Sequence, residues 1–353
     1  MTIVADLFRF VVGVDTHAAT HTYTILESSG RMVDQQQFPT SPAGLSRAID
    51  WIGRRTDGDL DATLVAAEGT GTYGAILAGR LAASGFRVVE APTPYRDRAT
   101  GKNDAMDSLA AARSTLSMRT DRLRDRRGGG DQQTASVRTA LQVLLAAREQ
   151  ATTERTRAVN ALTALVRTHE LGLDARRALT TTQITTISGW RRRQEPIDLA
   201  TARAQATHLA ARILDLDSHL SDNAHQIKLL VQDQAPVLLE QPGVGPVTAA
   251  IILTTWSHPG RVHSEAAFAK IAGTAPLPAS SGNTQRHRLN RGGDRRLNRA
   301  LHTIALTRMR CDPATRAYTE RRRSEGKTTR EVRRILKRYI TRQLYRTLNT
   351  NIA

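Results

Sequence analysis

Phe8-Arg9-Phe10-Val11-Val12-Gly13-Val14-Asp15-Thr16-His17 is the stretch on which the fold turns. Its apolar, β-branched residues read as a buried strand that reaches an acid, Asp15, near its C-terminal end. An acid so placed faces a cleft, not the core. Downstream, Thr20-His21-Thr22-Tyr23-Thr24-Ile25-Leu26 alternates at period two, Ser28-Ser29-Gly30 makes a turn, and Met32 to Phe38 extends again. Three consecutive strands joined by short turns form an antiparallel meander.

Ser41-Pro42 then opens a helix, with Ser41 as N-cap and Pro42 in the first helical position, running through Leu45, Ile49, Trp51 and Ile52. Ala62 to Gly69 repeats the opening pattern: a short strand ends in Glu68, then Gly-Thr-Gly leads to a helix from Tyr73 to Ala83. Parallel pairing of the two strands would set Asp15 and Glu68 side by side. Phe86 to Ala91 supplies a fifth strand, stopped by Pro92 and Pro94. After a polar loop, Asp104-Ala105-Met106-Asp107 begins a helix on which the two acids, three apart, share a face and can meet one ion. This order of elements describes a ribonuclease-H-like α/β sheet.

Each acid also has a plain reading. Asp15 can cap a turn, Glu68 can be a loop acid, and Asp104 and Asp107 can be first-turn acids favoured by the helix dipole. Together, the two strand ends and one helix face point to a divalent cation, because magnesium takes few carboxylates plus phosphate oxygens. Asp97, the remaining acid of the loop, is left out of the set. The chain carries 51 Lys and Arg against 33 Asp and Glu, a formal charge of +18. Such a protein repels cations and attracts polyanions, so acids that converge without basic partners suggest a metal site acting on phosphate.

The segments Val12 to His17, Ala66 to Gly71 and Lys102 to Asp107 resemble the three acidic blocks of the DEDD transposases of the insertion-sequence 110 family, whose N-terminal domain is similar to the RuvC Holliday-junction resolvase. The resemblance implies that Asp15, Glu68, Asp104 and Asp107 are the four catalytic, Mg2+-binding acids.

The rest of the chain is organised differently. Arg124 to Asp131 is a charged, glycine-rich hinge. From Ala135, apolar residues from Val137 to Val166 recur at helical spacing, and Leu199 to Leu239 does the same, predicting two long helices in an antiparallel coiled-coil arm with a loop-rich tip from Thr180 to Glu195. The arm serves dimerisation or spacing, or it contacts nucleic acid along Arg148, Arg155, Arg157 and Arg167. The predicted domains are therefore 1–125, 126–236 and 237–353, an α/β domain followed by two α-helical parts.

Gln241-Pro242-Gly243-Val244-Gly245-Pro246 opens the last domain and reads as the turn of a helix-hairpin-helix, in which Gly243 and Gly245 let backbone N–H groups grip a DNA phosphate. Gly-Val-Gly also occurs as a plain helix connector. Ala272 to Thr284 is an exposed loop of small residues containing Ser280-Ser281-Gly282. It is followed by Arg286, Arg288, Arg291, Arg295, Arg296 and Arg299. These arginines can clamp backbone phosphate with the serines in an ordinary turn, or stabilise a phosphorane beside an attacking hydroxyl. Arg321 to Arg346 is an amphipathic basic helix with Val332, Leu336, Tyr339, Ile340 and Leu344 on one stripe. With no large aromatic face, a nucleic-acid backbone suits it better than a membrane surface.

The blocks Gly243 to Pro246, Phe268 to Gly273, Ser280 to Gly282 and Arg291 to Leu297 are similar to the same family's C-terminal domain, which carries an essential serine before glycine. The place falls on Ser281, with Ser280 adjacent. The family likeness implies recombination guided by a structured RNA that pairs with donor and target DNA, a covalent phosphoserine–DNA intermediate, and a tetramer built as a dimer of dimers. Two other classes stand beside it: a hydrolytic junction nuclease using the acids alone, and a non-catalytic nucleic-acid scaffold. One cysteine, Cys311, excludes an intramolecular disulfide framework, and the absence of a long apolar run or signal pattern leads us to expect a cytoplasmic protein associated with the nucleoid.

Overall fold

In the computed structural model, which describes residues 2–92, 103–127, 129, 132–279, 287, 288, 290 and 292–351, the opening run forms the central strand β1 (Phe10–Thr16). A single-turn helix, α1 (Val4–Leu7), precedes it, and β2 (Thr20–Glu27) and β3 (Met32–Pro39) follow antiparallel, as the meander predicts. The β2–β3 turn needs Gly30 at φ +84°. Next come α2 (Pro42–Arg55), β4 (Thr63–Ala67), α3 (Ala75–Ala83), β5 (Arg87–Glu90) and α4 (Asp104–Leu116). Ser41 caps α2 by accepting a hydrogen bond from Gly44 N, with Pro42 in the first turn. The sheet order is β3-β2-β1-β4-β5, with β4 parallel to β1 and β5 parallel to β4.

Alternation along the strands divides two apolar layers. Phe10, Val12 and Val14 pack with Leu45, Trp51, Leu77 and Leu81 of α2 and α3. Val11, Leu64, Ala66 and Val89 pack with Ala112 and Leu116 of α4. Asp15 has the parity of Val11 and Gly13, so it emerges on the α4 side.

The chain divides into two compact units. One comprises Met1–Ser136, Thr255–Asn298 and Lys327–Ala353, and the other comprises Val137–Thr254 and Arg299–Gly326. Within the second, α5 (Gln132–Thr168), from Val137 onward, and α7 (Ile197–Gln234) run antiparallel. Asn223 Nδ2 donates to Leu144 O, Arg148 to Leu220 O, and Arg155 pairs with Asp217. Between them, α6 (Thr181–Ser188) replaces the expected loop-rich tip. Thr180 and Gln183 form a capping box there, and Ile184 and Ile187 bury against the long helices. The second long helix stops at Gln234 instead of reaching Leu239. Pro236 pushes Ala235 out of the helical region, to φ −156° and ψ 59°, before the one-turn α8 (Pro236–Leu239).

α9 (Pro246–Trp256), α10 (Glu265–Ile271), the two-residue strands β6 (Leu277–Pro278) and β7 (His287–Arg288), α11 (Arg295–Cys311), α12 (Pro313–Ser324) and α13 (Thr329–Asn351) complete the chain. Two expectations change here. The glycine-rich stretch after Arg124 is not merely a hinge: Arg124 O accepts from Glu90 N at 2.7 Å, and Arg126 N donates to Val88 O, so its first residues cover the β5 edge. On α13 the buried stripe is Val332, Leu336, Ile340, Leu344 and Leu348, four apart throughout, and Tyr339 is 50% exposed beside it.

Candidate active site and nucleic-acid interface

The acid site is built by the approach of α4 to the sheet. A Cβ on Gly13 would lie 2.2 Å from Ser108 O and 2.5 Å from Ala112 N, so only glycine lets α4 sit this close to β1. A buried polar chain fixes the helix: Ser108 Oγ and Thr24 Oγ1 share a hydrogen bond of 2.8 Å, and Gln35 Nε2 donates both to Thr24 Oγ1 and to Ala105 O. Asn103 caps α4 by accepting from Ala105 N. The first residue of the helix, Asp104, is thereby held against the end of β1.

Asp15 and Asp104 meet at a histidine. His17 Nε2 lies 3.0 Å from Asp15 Oδ2 and 3.3 Å from Asp104 Oδ1. Among the described residues no Lys or Arg pairs with either carboxylate, although the Asp15 side chain is only 7% exposed. A buried carboxylate is costly unless it is paired, and oxygen donors held together without basic partners are the donor set of a hard divalent cation. The ligand atoms of Asp15, His17 and Asp104 lie within 4.8 Å of one another, so these residues fit such an ion. Behind them His21 is buried, and burial first of all holds its pKa below the ordinary imidazole value, with the nearby His17 acting in the same direction. His21 Nδ1 accepts from His17 N.

Glu68 and Asp107 lie outside that three-residue cluster. The parallel ladder ends at Val14↔Ala67, one residue short of Asp15 and Glu68, and Glu68 N still donates to Val14 O at 3.0 Å. Thr16 Oγ1 in turn donates to Glu68 O at 3.2 Å. Asp107 follows Asp104 by three residues in the first turn of α4.

Ser280, Ser281, Arg286 and Arg291 lie outside the described residues. What flanks them is firmly tied. β6 and β7 pair antiparallel, Leu277 with Arg288 and Pro278 with His287. A Cβ on Gly293 would stand 2.3 Å from Gly273 N, so the two glycines are in backbone contact, and Gly273 has φ +63°. Asp294 N donates to Ile271 O, and Asp294 Oδ1 accepts from Leu297 N at the start of α11. Asn298 Nδ2 donates to Ala272 O, and Asn298 Oδ1 accepts from Lys337 Nζ at 2.6 Å. Burial lowers the Lys337 pKa.

Beside these segments opens a cavity of about 820 Å³. Arg288, Lys327, Arg334, Lys337, Arg338 and Arg342 line it, with Glu331 the one acid among the described lining residues and Tyr339 on its wall. Glu265 of α10 holds the α13 arginines in place, at 3.0 Å from Arg338 and 2.8 Å from Arg342, and the hydrogen bond from Arg342 keeps its carboxyl below the ordinary range. Arg295 is exposed and Arg296 half-buried on α11. Arg299 forms an exposed pair with Glu149, a contact worth little in water.

Residues 12–170 match the DEDD transposases of IS110 type, and residues 235–320 match the IS116/IS110/IS902 transposase family. The chain belongs to the IS110 family of DEDD transposases. It is 37% identical over 124 residues to the 43.6 kDa protein of insertion element IS110 from Streptomyces coelicolor, covering 35% of this chain. To the 42 kDa protein of insertion element IS900 from Mycobacterium paratuberculosis it is 26% identical over 89% of each chain. To the 44.8 kDa protein of insertion element IS116 from Streptomyces clavuligerus it is 30% identical over 33% of this chain. The first and third matches span 29% and 30% of those relatives' own length.

In this IS110-family chain the segment Gly243 to Pro246 leads into α9. Gly243 has φ +76° and a Cβ there would lie 3.0 Å from Ile304 O, so its glycine answers to both turn and packing. Gly245 N donates to Thr248 Oγ1. No helix among the described residues is long and apolar enough to cross a membrane. His17 is the residue that sequence reasoning passed over. Its signal was period two: Asp15 and His17 are two apart at a strand end, which places both on one face.

Proposed function

We propose that this transposase cuts and rejoins the DNA strands of an insertion sequence with Asp15, Glu68, Asp104 and Asp107 as its acid site and Ser281 as nucleophile. The observation that carries the reading is the meeting of Asp15 and Asp104 at the sheet end with no Lys or Arg partner among the described residues. The sheet order β3-β2-β1-β4-β5 supports a ribonuclease-H-like domain, the antiparallel α5–α7 pair a coiled-coil arm, and the α8–α9 turn a helix-hairpin-helix. A divalent ion at the acids, Mg2+ in the family reading, would neutralise charge at the phosphate under attack.

The chain's own groups do the rest. The Ser281 hydroxyl oxygen bonds to phosphorus, a P–O bond to the sugar breaks, and the leaving sugar hydroxyl takes up a proton, so the bond energy is kept in a serine–DNA ester for rejoining. Arg288, Arg334, Arg338 and Arg342 grip backbone phosphates in the basic cavity. Sequence choice falls to a guide RNA paired with donor and target DNA, and the protein works in the cytoplasm as a dimer of dimers. In sequence the acids and Ser281 are separated by the long helices. A composite site assembled between subunits would bring them together, which is why the activity calls for an oligomer.

The test is recombination between donor and target plasmids, with SDS-resistant DNA adducts scored alongside. Ser281→Ala and Asp15→Asn should each abolish strand exchange by about 10³-fold, with DNA binding retained. Adduct should vanish in Ser281→Ala. A Ser281→Ala protein that still recombines excludes the serine mechanism, with Ser280→Ala then tested in its place. Cleavage without adduct identifies a hydrolytic nuclease, and an inert wild-type protein identifies a scaffold.

A further inference from the structure

We propose that His17 is itself a ligand of the metal centre, and that its imidazole shifts the centre's preference from Mg2+ toward first-row transition ions. The inference rests on the acid-site reading above and adds a residue to it. Adjacent ligands of an octahedral ion with bonds of about 2.1 Å lie about 3 Å apart. His17 Nε2 stands 3.0 Å from Asp15 Oδ2 and 3.3 Å from Asp104 Oδ1, so the nitrogen already keeps that spacing to both carboxylates.

One ring nitrogen offers at most one proton, which two carboxylates must share; a cation accepting a lone pair from all three atoms satisfies each of them. The backbone holds the ring in this place. His17 N donates to Thr20 O at 3.1 Å and to His21 Nδ1 at 3.3 Å, closing the tight β1–β2 turn. The side chain is 39% exposed, which leaves an open side for water or phosphate oxygens. Carboxylates alone suit magnesium, whereas an imidazole nitrogen in the set favours transition ions over Mg2+ and Ca2+.

Mn2+ is the probe, added to the full-length protein and followed by paramagnetic resonance. Wild type should bind Mn2+ and show coupling from a directly bound 14N nucleus. His17→Ala and His17→Gln should both lose that coupling and bind Mn2+ about tenfold or more weakly, with a smaller change for Mg2+. Circular dichroism reports whether each variant is folded, and the exposure of the ring leaves room for either replacement. Coupling that persists in both variants, or equal weakening for both ions, overturns the proposal. Asp15→Asn separates the two readings. If it abolishes Mn2+ binding while the His17 variants behave as wild type, the acid site stands and the histidine ligand falls. A wild-type protein that binds no Mn2+ overturns both.

Discussion

The acid site of the N-terminal sheet and the basic cavity of α13 belong to one compact unit and are held in opposite ways. At the acids, position comes from packing and buried neutral hydrogen bonds: Gly13 against α4, then Ser108, Thr24 and Gln35. In the cavity, position comes from charge, with Glu265 gathering arginines along α13. The contrast supplies a way to sort acids in a strongly basic chain. Glu90, Asp217 and Glu265 each have an arginine and serve the fold. Among the described residues Asp15 and Asp104 have a histidine as their partner and no Lys or Arg.

The comparison breaks first at Gly13. Gly13→Ala puts a methyl group into backbone atoms 2.2 Å away and should destabilise the α/β unit by about 3 kcal/mol, with Mn2+ binding weakened although every acid remains. Thermal melts and metal titration check this; a variant as stable and as metal-competent as wild type would show that packing does not set the site. A smaller effect is expected from Arg334→Ala combined with Arg338→Ala. Binding to generic duplex DNA should weaken evenly across sequences, and the slope of log affinity against log salt should shrink by about 2, with Mn2+ binding untouched. An unchanged salt slope would remove the cavity from the DNA path.

The smallest effect sharpens the charge side of the contrast. Glu265 has its folded-state pKa lowered by Arg342, so its contribution is full above the ordinary value of 4.5 and is lost as pH falls through the lowered one. Glu265→Gln should therefore cost about 1 kcal/mol near neutral pH, with the gap to wild type closing on acidification. A gap that is flat with pH would mean the glutamate acts by shape instead of charge.

The sheet was legible because strand signals are local: the apolar runs at Val11 to Val14 and Leu64 to Val65, the turn at Gly30 and the Ser41-Pro42 helix start each act within a few residues. Asp15 and Asp104 enter one four-acid set with Glu68 and Asp107 because each lies near the end of such an element. The Ala235 break was also written locally, in Pro236, yet the apolar repeat that runs through it hid the signal. Tyr339 adjoins the buried stripe in sequence but departs from its four-residue step, which only the packing reveals. The return of Thr255–Asn298 to the first unit has no local signature. It depends on pairs such as Arg261 with Glu90, 2.7 Å apart in space and 171 residues apart in sequence. Burial lowers the Arg261 pKa to about 10, and Glu90 works against that shift. Ser281 remains a matter of family likeness, since it lies outside the described residues.

The clasp formed by the β6–β7 ladder and the touching backbones of Gly273 and Gly293 has an evolutionary corollary. The ladder rests on main-chain pairing of Leu277 with Arg288 and of Pro278 with His287, so side-chain changes at Leu277 and Arg288 leave it in place. Gly293 has no such latitude: a Cβ there would stand 2.3 Å from Gly273 N, so even one methyl group would pry the clasp apart.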